Sequence, residues 1–169
     1  ENVLMISRLE KSVSPIELTE IDLHDVIENS LRHIDLIVKN EKGEITTYLN
    51  ALKTKFKGNF NHFTNVVVNI LDNAVKYSEK KPAIKICTAD YDDGVELKIS
   101  DEGIGMDVAT QKHIFEKFYR QQSGDIHNIK GHGLGLSYVK KIVEIHGGDI
   151  LINSKVKYGT TFLIKLPCF

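Results

Sequence analysis

Two amides and a cation stand in register along one stretch of this chain. Asn69, Asn73 and Lys76 are spaced by four and then three residues. On a helix of about 100° per residue they fall within roughly 60° of one another, with Tyr77 beside them. An asparagine oxygen can complete the shell of a Mg²⁺ ion, and a lysine can meet phosphate oxygens as a point charge. The competing reading is a solvated helix face with indifferent amides, although asparagine is a mediocre helix former and two of them mid-helix ask for a reason. Further along, Asp101 is followed by Gly103 and Gly105 directly after a strand-like run. An acid at a strand end can accept a hydrogen bond from a ligand while the glycines let the backbone come close; the alternative is an acidic turn capping the next helix. A third segment, Gly131, His132, Gly133, Leu134, Gly135 and Leu136, precedes a helical pattern. Unpaired N–H groups at such a helix start, with little side-chain bulk in front, form a phosphate site; the alternative is a plain flexible junction.

These segments exclude the better-known phosphate binders. No Gly-Lys-Ser/Thr follows either glycine run, and Gly131, Gly133 and Gly135 have the wrong spacing for a dinucleotide fingerprint. The lysine and catalytic-loop signatures of protein kinases are absent as well. A nucleotide site in this chain must be of another construction.

The elements that would position these residues follow from periodicity. Leu4, Met5 and Leu9 read as the end of an amphipathic helix, ended by Pro15. A helix is predicted from Asp22 to about Lys39, two short strands within 43–57, and a long helix capped by Asn61 and running to about Ser78. Its face carrying Phe63, Val67, Ile70, Leu71 and Ala74 should pack on a sheet. Residues 83–100 read as a hairpin turning at Asp92, Asp93 and Gly94. A short helix near 107–118, a polar stretch 121–130, a helix from about Gly133 stopped by Gly147 and Gly148, and a final hairpin around Tyr158 and Gly159 complete the chain. The implied architecture is a two-layer α/β sandwich, a mixed, mostly antiparallel sheet with helices on one face.

At 169 residues, 41% of them hydrophobic and 27% charged, the chain can bury a core without staples. Its 22 basic and 23 acidic residues give no general field for nucleic acid. Cys87 and Cys168 follow no metal-ligand pattern and read as reduced thiols. No apolar run approaches the roughly 20 residues of a membrane span, so direct membrane contact is not expected of this segment.

Taken together the motifs resemble the histidine kinase branch of the ATPase superfamily that also holds DNA gyrase, the Hsp90 chaperones and the MutL proteins. Asn69, Asn73, Lys76 and Tyr77 are similar to its asparagine box, and Asp101, Gly103 and Gly105 to its first glycine box. Phe115, Phe118, Tyr119 and Arg120 resemble the phenylalanine box, Gly131 to Leu136 the second glycine box, and Gly159, Thr160, Phe162 and Pro167 the last hairpin.

The resemblance implies a Bergerat-type ATP-binding fold with ATP and Mg²⁺ as ligands. Asn73 would coordinate the ion, Asn69 would support metal and phosphates, Lys76 would contact phosphate, and Tyr77 would flank ribose and phosphates. Asp101 would accept from the adenine amino group, backed by Thr160, with Gly103 and Gly105 letting the base approach. Gly131, Gly133 and Gly135, with the backbone of His132, Leu134 and Leu136, would offer donors to phosphate; the side chain of His132 reads as a solvent-facing lid histidine. Arg120 would swing toward the γ-phosphate, 121–130 would be the ATP lid, and Phe115 and Phe118 would anchor its base. Glu102 stands where the family often has asparagine.

It also implies that residues 1–14 are the end of a dimerisation and phosphoacceptor helix and 15–169 the catalytic domain, because Ile6, Ser7, Arg8, Leu9 and Glu10 resemble the close of that helix. None of the seven histidines stands in an acceptor context. The implied partners are therefore the missing phosphoacceptor domain, a second copy of the parent kinase and a response regulator receiver domain. The implied setting is the cytoplasmic side of a parent anchored in the cell membrane. Two other readings remain open at this level: a serine kinase of the anti-sigma type, and a nucleotide-sensing module without transferase activity.

Overall fold

The computed structural model describes residues 16–119 and 133–168. The helix end expected at 1–11, the boundary at 14/15, Arg120, the lid at 121–130, Gly131 and His132 lie outside the described residues.

Strand β1 (Thr19–Asp22) leads into helix α1 (Leu23–Asn40). Asp22 keeps extended backbone and its carboxylate accepts from His24 N at 2.8 Å, which starts the helix. Leu23, Val26, Ile27, Ser30, Ile34 and Val38 then bury one face, each three or four residues from another. Strands β2 (Glu44–Leu49) and β3 (Lys55–Gly58) follow, then helix α2 (Phe60–Lys76). The cap of α2 is Asn59, accepting from His62 N at 3.1 Å, and not the expected Asn61. The reason lies upstream: Asn59 leaves β3 in extended conformation, as a cap must, whereas Asn61 is already inside the first turn.

The remaining elements are β4 (Ala83–Tyr91), β5 (Gly94–Asp101), the short helix α3 (Val108–His113), α4 (Gly135–Ile145), β6 (Asp149–Lys155) and β7 (Gly159–Pro167). Five strands form one sheet in the order β2-β4-β5-β7-β6, while β1 and β3 pair separately. Only β2 and β4 run parallel; the other neighbours in the large sheet are antiparallel. Alternation puts Ile84, Ile86 and Thr88 of β4, Val95, Leu97 and Ile99 of β5, and Phe162, Ile164 and Leu166 of β7 on the buried face. Helix α2 packs against both α1 and α4 over that face, and its expected core positions Phe63, Val67, Ile70, Leu71 and Ala74 are all buried. The expected two-layer sandwich is the fold observed. Cys87 and Cys168 are free thiols.

Two registers bring polar side chains together across the sheet. Asp101, the last residue of β5, is the cross-strand partner of Thr160 in β7. Ser154 of β6 faces the same Thr160 from the other side.

Candidate functional site

The last two turns of α2 form one wall of a cleft of about 630 Å³, measured out to its open mouth. Asn73, Ala74 and Tyr77 line that wall, and Asp101 and Thr160 face the cleft from the sheet. The segment after β5 closes it with Ile104, Gly105 and Met106, α3 adds Thr110 and Ile114, and Tyr119 and Leu136 complete the rim. The lining is mostly apolar with a few convergent polar groups, the usual composition of a small-molecule site.

Asp101 is the carboxylate that borders the cleft. Its Oδ1 accepts from Gly103 N at 2.8 Å and from Thr160 N at 3.3 Å. No hydrogen bond among the described residues uses Oδ2. Burial pushes the carboxyl above the usual carboxylate range, and the two amide hydrogen bonds pull it back. One oxygen is thus fixed by backbone while the other is left as an acceptor.

The glycines fit this loop by close approach to protein atoms. A Cβ on Gly103 would stand 2.6 Å from Tyr77 O and 2.8 Å from Asp101 Oδ1. Gly105 has φ +66°, and a Cβ there would collide with Lys155 O. Ile104 N donates to Tyr77 O at 3.0 Å and Lys157 N to Ile104 O at 2.7 Å, so the loop is tied to both α2 and the last hairpin. Ser154 Oγ accepts from Met106 N at 2.8 Å, and Gln111 Nε2 bridges Met106 O and Ser154 O at 3.0 and 2.9 Å.

Of the residues singled out from sequence, the structure gathers Asn73, Tyr77, Asp101, Gly105, Leu136 and Thr160 around one cleft. Thr160 backs Asp101 directly, through its backbone N–H. Gly103 lies beneath Asp101. Asn69 is held back, its Nδ2 donating to Asn65 O at 2.7 Å. Lys76 pairs with Asp72 one turn earlier, on the outer side of α2. Gly133 has φ +66° and its carbonyl accepts from Phe118 N at 2.9 Å; Leu134 is buried and Gly135 opens α4. Phe115 packs against the core with Lys140 Nζ 5.7 Å from its ring, while Phe118 is exposed in left-handed conformation.

Sequence reasoning did not single out Met106, Thr110, Ile114 and Tyr119 as cleft residues. Residues 107–118 read from sequence as a short helix, with nothing in its pattern to show which side chains would line a void.

Among the described residues no group of three His, Cys, Asp or Glu could hold a metal ion unaided. A cation at the mouth would need Asn73 together with oxygens from ligand and water, which suits Mg²⁺, an ion that usually keeps several waters. The arrangement can hold a flat, donor-bearing ring against Asp101 with a polar tail leading out past Asn73.

Residues 58–168 match the family described as histidine kinase-, DNA gyrase B- and HSP90-like ATPase. The chain is 36% identical to Sensor protein RprX of Bacteroides fragilis, over 99% of this chain and 33% of that protein. It is 29% identical to the signal transduction histidine-protein kinase ArlS of Staphylococcus epidermidis, over 99% and 36%. The chain thus spans about a third of the length of these relatives. Among solved structures, the mycobacterial sensor histidine kinase MprB superposes with a TM-score of 0.76 at 27% identity, covering 89% of this chain and 97% of that one. The histidine kinase ThkA, solved in complex with the response regulator protein TrrA, shares the fold with a TM-score of 0.80 at 20% identity, over 99% and 46%.

Proposed function

Because the chain belongs to the histidine kinase-, DNA gyrase B- and HSP90-like ATPase family, we propose that it is the ATP-binding catalytic part of a two-component sensor histidine kinase. In this reading it presents the γ-phosphoryl group of ATP to a histidine on a dimerisation and phosphoacceptor domain outside this chain. The observation that carries it is Asp101: a half-buried carboxylate with one oxygen held by two backbone N–H groups and the other left to accept from a ring amino group.

With adenine there, the ribose and phosphates run past Tyr77 toward Asn73, Lys76 and the start of α4. Lys76 leaves Asp72 to meet phosphate, an exchange that costs little because an exposed ion pair is worth at most about 1 kcal/mol. Asn73 would hold Mg²⁺, and Asn69 would support it. When bound, the ion neutralises charge on the phosphate oxygens. Gly133 and Gly135, with Gly131 and the backbone of His132, supply donors to phosphate, and Arg120 acts with the lid.

The reading favours transfer over hydrolysis. Asn69 stands where hydrolysing relatives carry a glutamate that deprotonates water, and an amide has no useful proton affinity. Catalysis then rests on positioning and charge neutralisation, and the nucleophile comes from a partner. The names of the relatives support this, as does the meeting of the Asp101 acceptor and the Asn73 amide at one cleft. The partners proposed are the phosphoacceptor domain, a second copy of the parent kinase and a response regulator receiver domain. Among the described residues no helix is long and apolar enough to cross a membrane; the proposed setting is the cytoplasmic side of a membrane-anchored parent.

Incubating the chain with γ-labelled ATP, alongside calorimetric titration and a phosphate-release assay, tests this. Mg-ATP should bind, with no stable self-labelling and turnover below about 1 s⁻¹, the low end of ordinary enzyme rates. Label retained on the chain, or faster release, would overturn the kinase-part reading.

A further inference from the structure

We propose that Ser154, which does not border the cleft, fixes the polarity of the Thr160 hydroxyl and thereby the kind of ring edge the cleft accepts. The proposal rests on the reading that a nucleotide base sits against Asp101 and Thr160.

A serine hydroxyl has one hydrogen and two lone pairs. Three partners surround Ser154 Oγ. Gly159 O, at 2.9 Å, can only accept. Met106 N, at 2.8 Å, can only donate. Thr160 Oγ1, at 2.9 Å, can do either. The serine hydrogen goes to the carbonyl and Met106 takes one lone pair. The second lone pair is what remains for Thr160, so Thr160 donates. With its one hydrogen committed to Ser154, Thr160 Oγ1 offers only lone pairs elsewhere.

Thr160 lines the cleft and is the cross-strand partner of Asp101. The sheet therefore presents two acceptors side by side, one charged and one neutral. A ring edge carrying N–H groups pairs with both, directly or through a water. A carbonyl oxygen in place of the amino group meets lone pairs at both positions, and an unpaired buried polar group is costly. Asp101 can be read from sequence as an acceptor; the acceptor-only state of a threonine cannot, because it depends on a serine on the neighbouring strand.

Gln111 supplies the control. It ties the same two segments together through Met106 O and Ser154 O but does not touch Thr160. Losing it loosens the loop without changing the polarity of the hydroxyl.

The test compares Mg-ATP with Mg-ITP, whose base carries a carbonyl where adenine carries its amino group and an N–H where adenine carries a bare N1, so each nucleotide is compared with itself across the variants before the ratio is taken. Dissociation constants are measured on the chain and on Ser154→Ala, Thr160→Val and Gln111→Ala. In Ser154→Ala the Thr160 hydrogen is free to turn into the cleft, and the preference for ATP over ITP should fall about 3- to 10-fold. Thr160→Val should weaken ATP by a similar factor and leave ITP unchanged or tighter. Gln111→Ala should weaken both nucleotides together, keeping their ratio within about twofold. A ratio unchanged in Ser154→Ala overturns the proposal, and so does a loss of ITP affinity in Thr160→Val. If Ser154→Ala does not fold, the sign of the ITP change in Thr160→Val decides alone. Absence of ATP binding in the unsubstituted chain would instead overturn the nucleotide reading beneath it.

Discussion

The side-chain oxygen of Asn69 lies 2.9 Å from the point where a Cβ on Gly135 would stand. Gly135 is the first residue of α4 and, unlike Gly133, does not occupy the left-handed region. Glycine is needed there for room beside an amide, not for backbone freedom. Gly135→Ala should therefore fold normally, with stability within about 1 kcal/mol of the parent, since alanine is the better helix former. Nucleotide affinity should fall, because the Asn69 amide must turn away. Thermal melting beside calorimetric titration checks both halves; a parallel loss of stability and affinity would count against this division.

Asp101→Asn has a direction that the two backbone donors dictate. Gly103 N and Thr160 N require an oxygen at Oδ1, so the asparagine NH₂ is turned toward the cleft. It meets the adenine amino group donor to donor and the guanine carbonyl donor to acceptor. A hydrogen bond to a charged group is worth roughly 1.5 to 3 kcal/mol, so ATP should weaken about 10- to 150-fold while the ATP-to-GTP ratio shrinks. Titrations of both nucleotides under one salt and magnesium condition measure this. An ATP affinity within about twofold of the parent would remove Asp101 from the site.

Asn73→Ala removes the amide at the mouth of the cleft and places a better helix former in α2. The expected outcome is an intact fold whose ATP binding no longer depends on magnesium. Titration with Mg²⁺ and with EDTA reads the difference directly, and a magnesium effect of unchanged size would move the metal ligand elsewhere.

His146 gives the stability a pH dependence with a definite sign. It is buried; its Nδ1 lies 2.7 Å from Ile142 O and its Nε2 accepts from Asn59 N at 2.9 Å, which requires a neutral ring with the hydrogen on Nδ1. Burial lowers its pKa, with the hydrogen bond to Ile142 opposing and His62 adding to the shift; burial lowers that of His62 as well. Unfolded histidines titrate near about 6.5. Above that value both states are neutral and stability is at its plateau. Below it the unfolded chain binds protons that the folded chain refuses, so stability falls until the folded pKa values are passed. Urea unfolding between about pH 7.5 and 5 should show this decline, and His146→Gln should flatten it. Asp22, where burial is the largest effect but hydrogen bonds from Thr54 and His24 together outweigh it, and Asp90 and Asp107, held down first by backbone N–H donors, all have lowered pKa values and act only in more acidic solution.

How much of this was legible in the chain can be judged residue by residue. The stripe of Asn69, Asn73 and Lys76 and the core face beside it follow from helical period, and the fold keeps them on one helix with Tyr77 as its C-cap. Asp101 and Thr160 lie 59 residues apart, and only the register of β5 with β7 makes them neighbours. The Asn59 cap was misread as Asn61 because composition cannot say where a strand hands over to a helix. The pairing of Lys76 with Asp72 is a choice among exposed partners, decided by little energy and therefore invisible to pattern. Nothing in the pattern set Met106, Thr110 and Ile114 apart as cleft residues, because core and cleft draw on the same residue types.

Strand β7 lies between β5 and β6, so the strand that joins these two follows both of them in sequence. During synthesis β5 and β6 can emerge but cannot be joined until residues 159–167 have left the ribosome. At about 5 to 20 residues per second, the greasy faces of α1, α2 and α4 wait several seconds for the strand that completes their support. Order of translation and order of assembly are thereby set against each other. Loss of residues 159–167 would strand β6 apart from β2, β4 and β5, where trimming an edge strand would merely narrow the sheet.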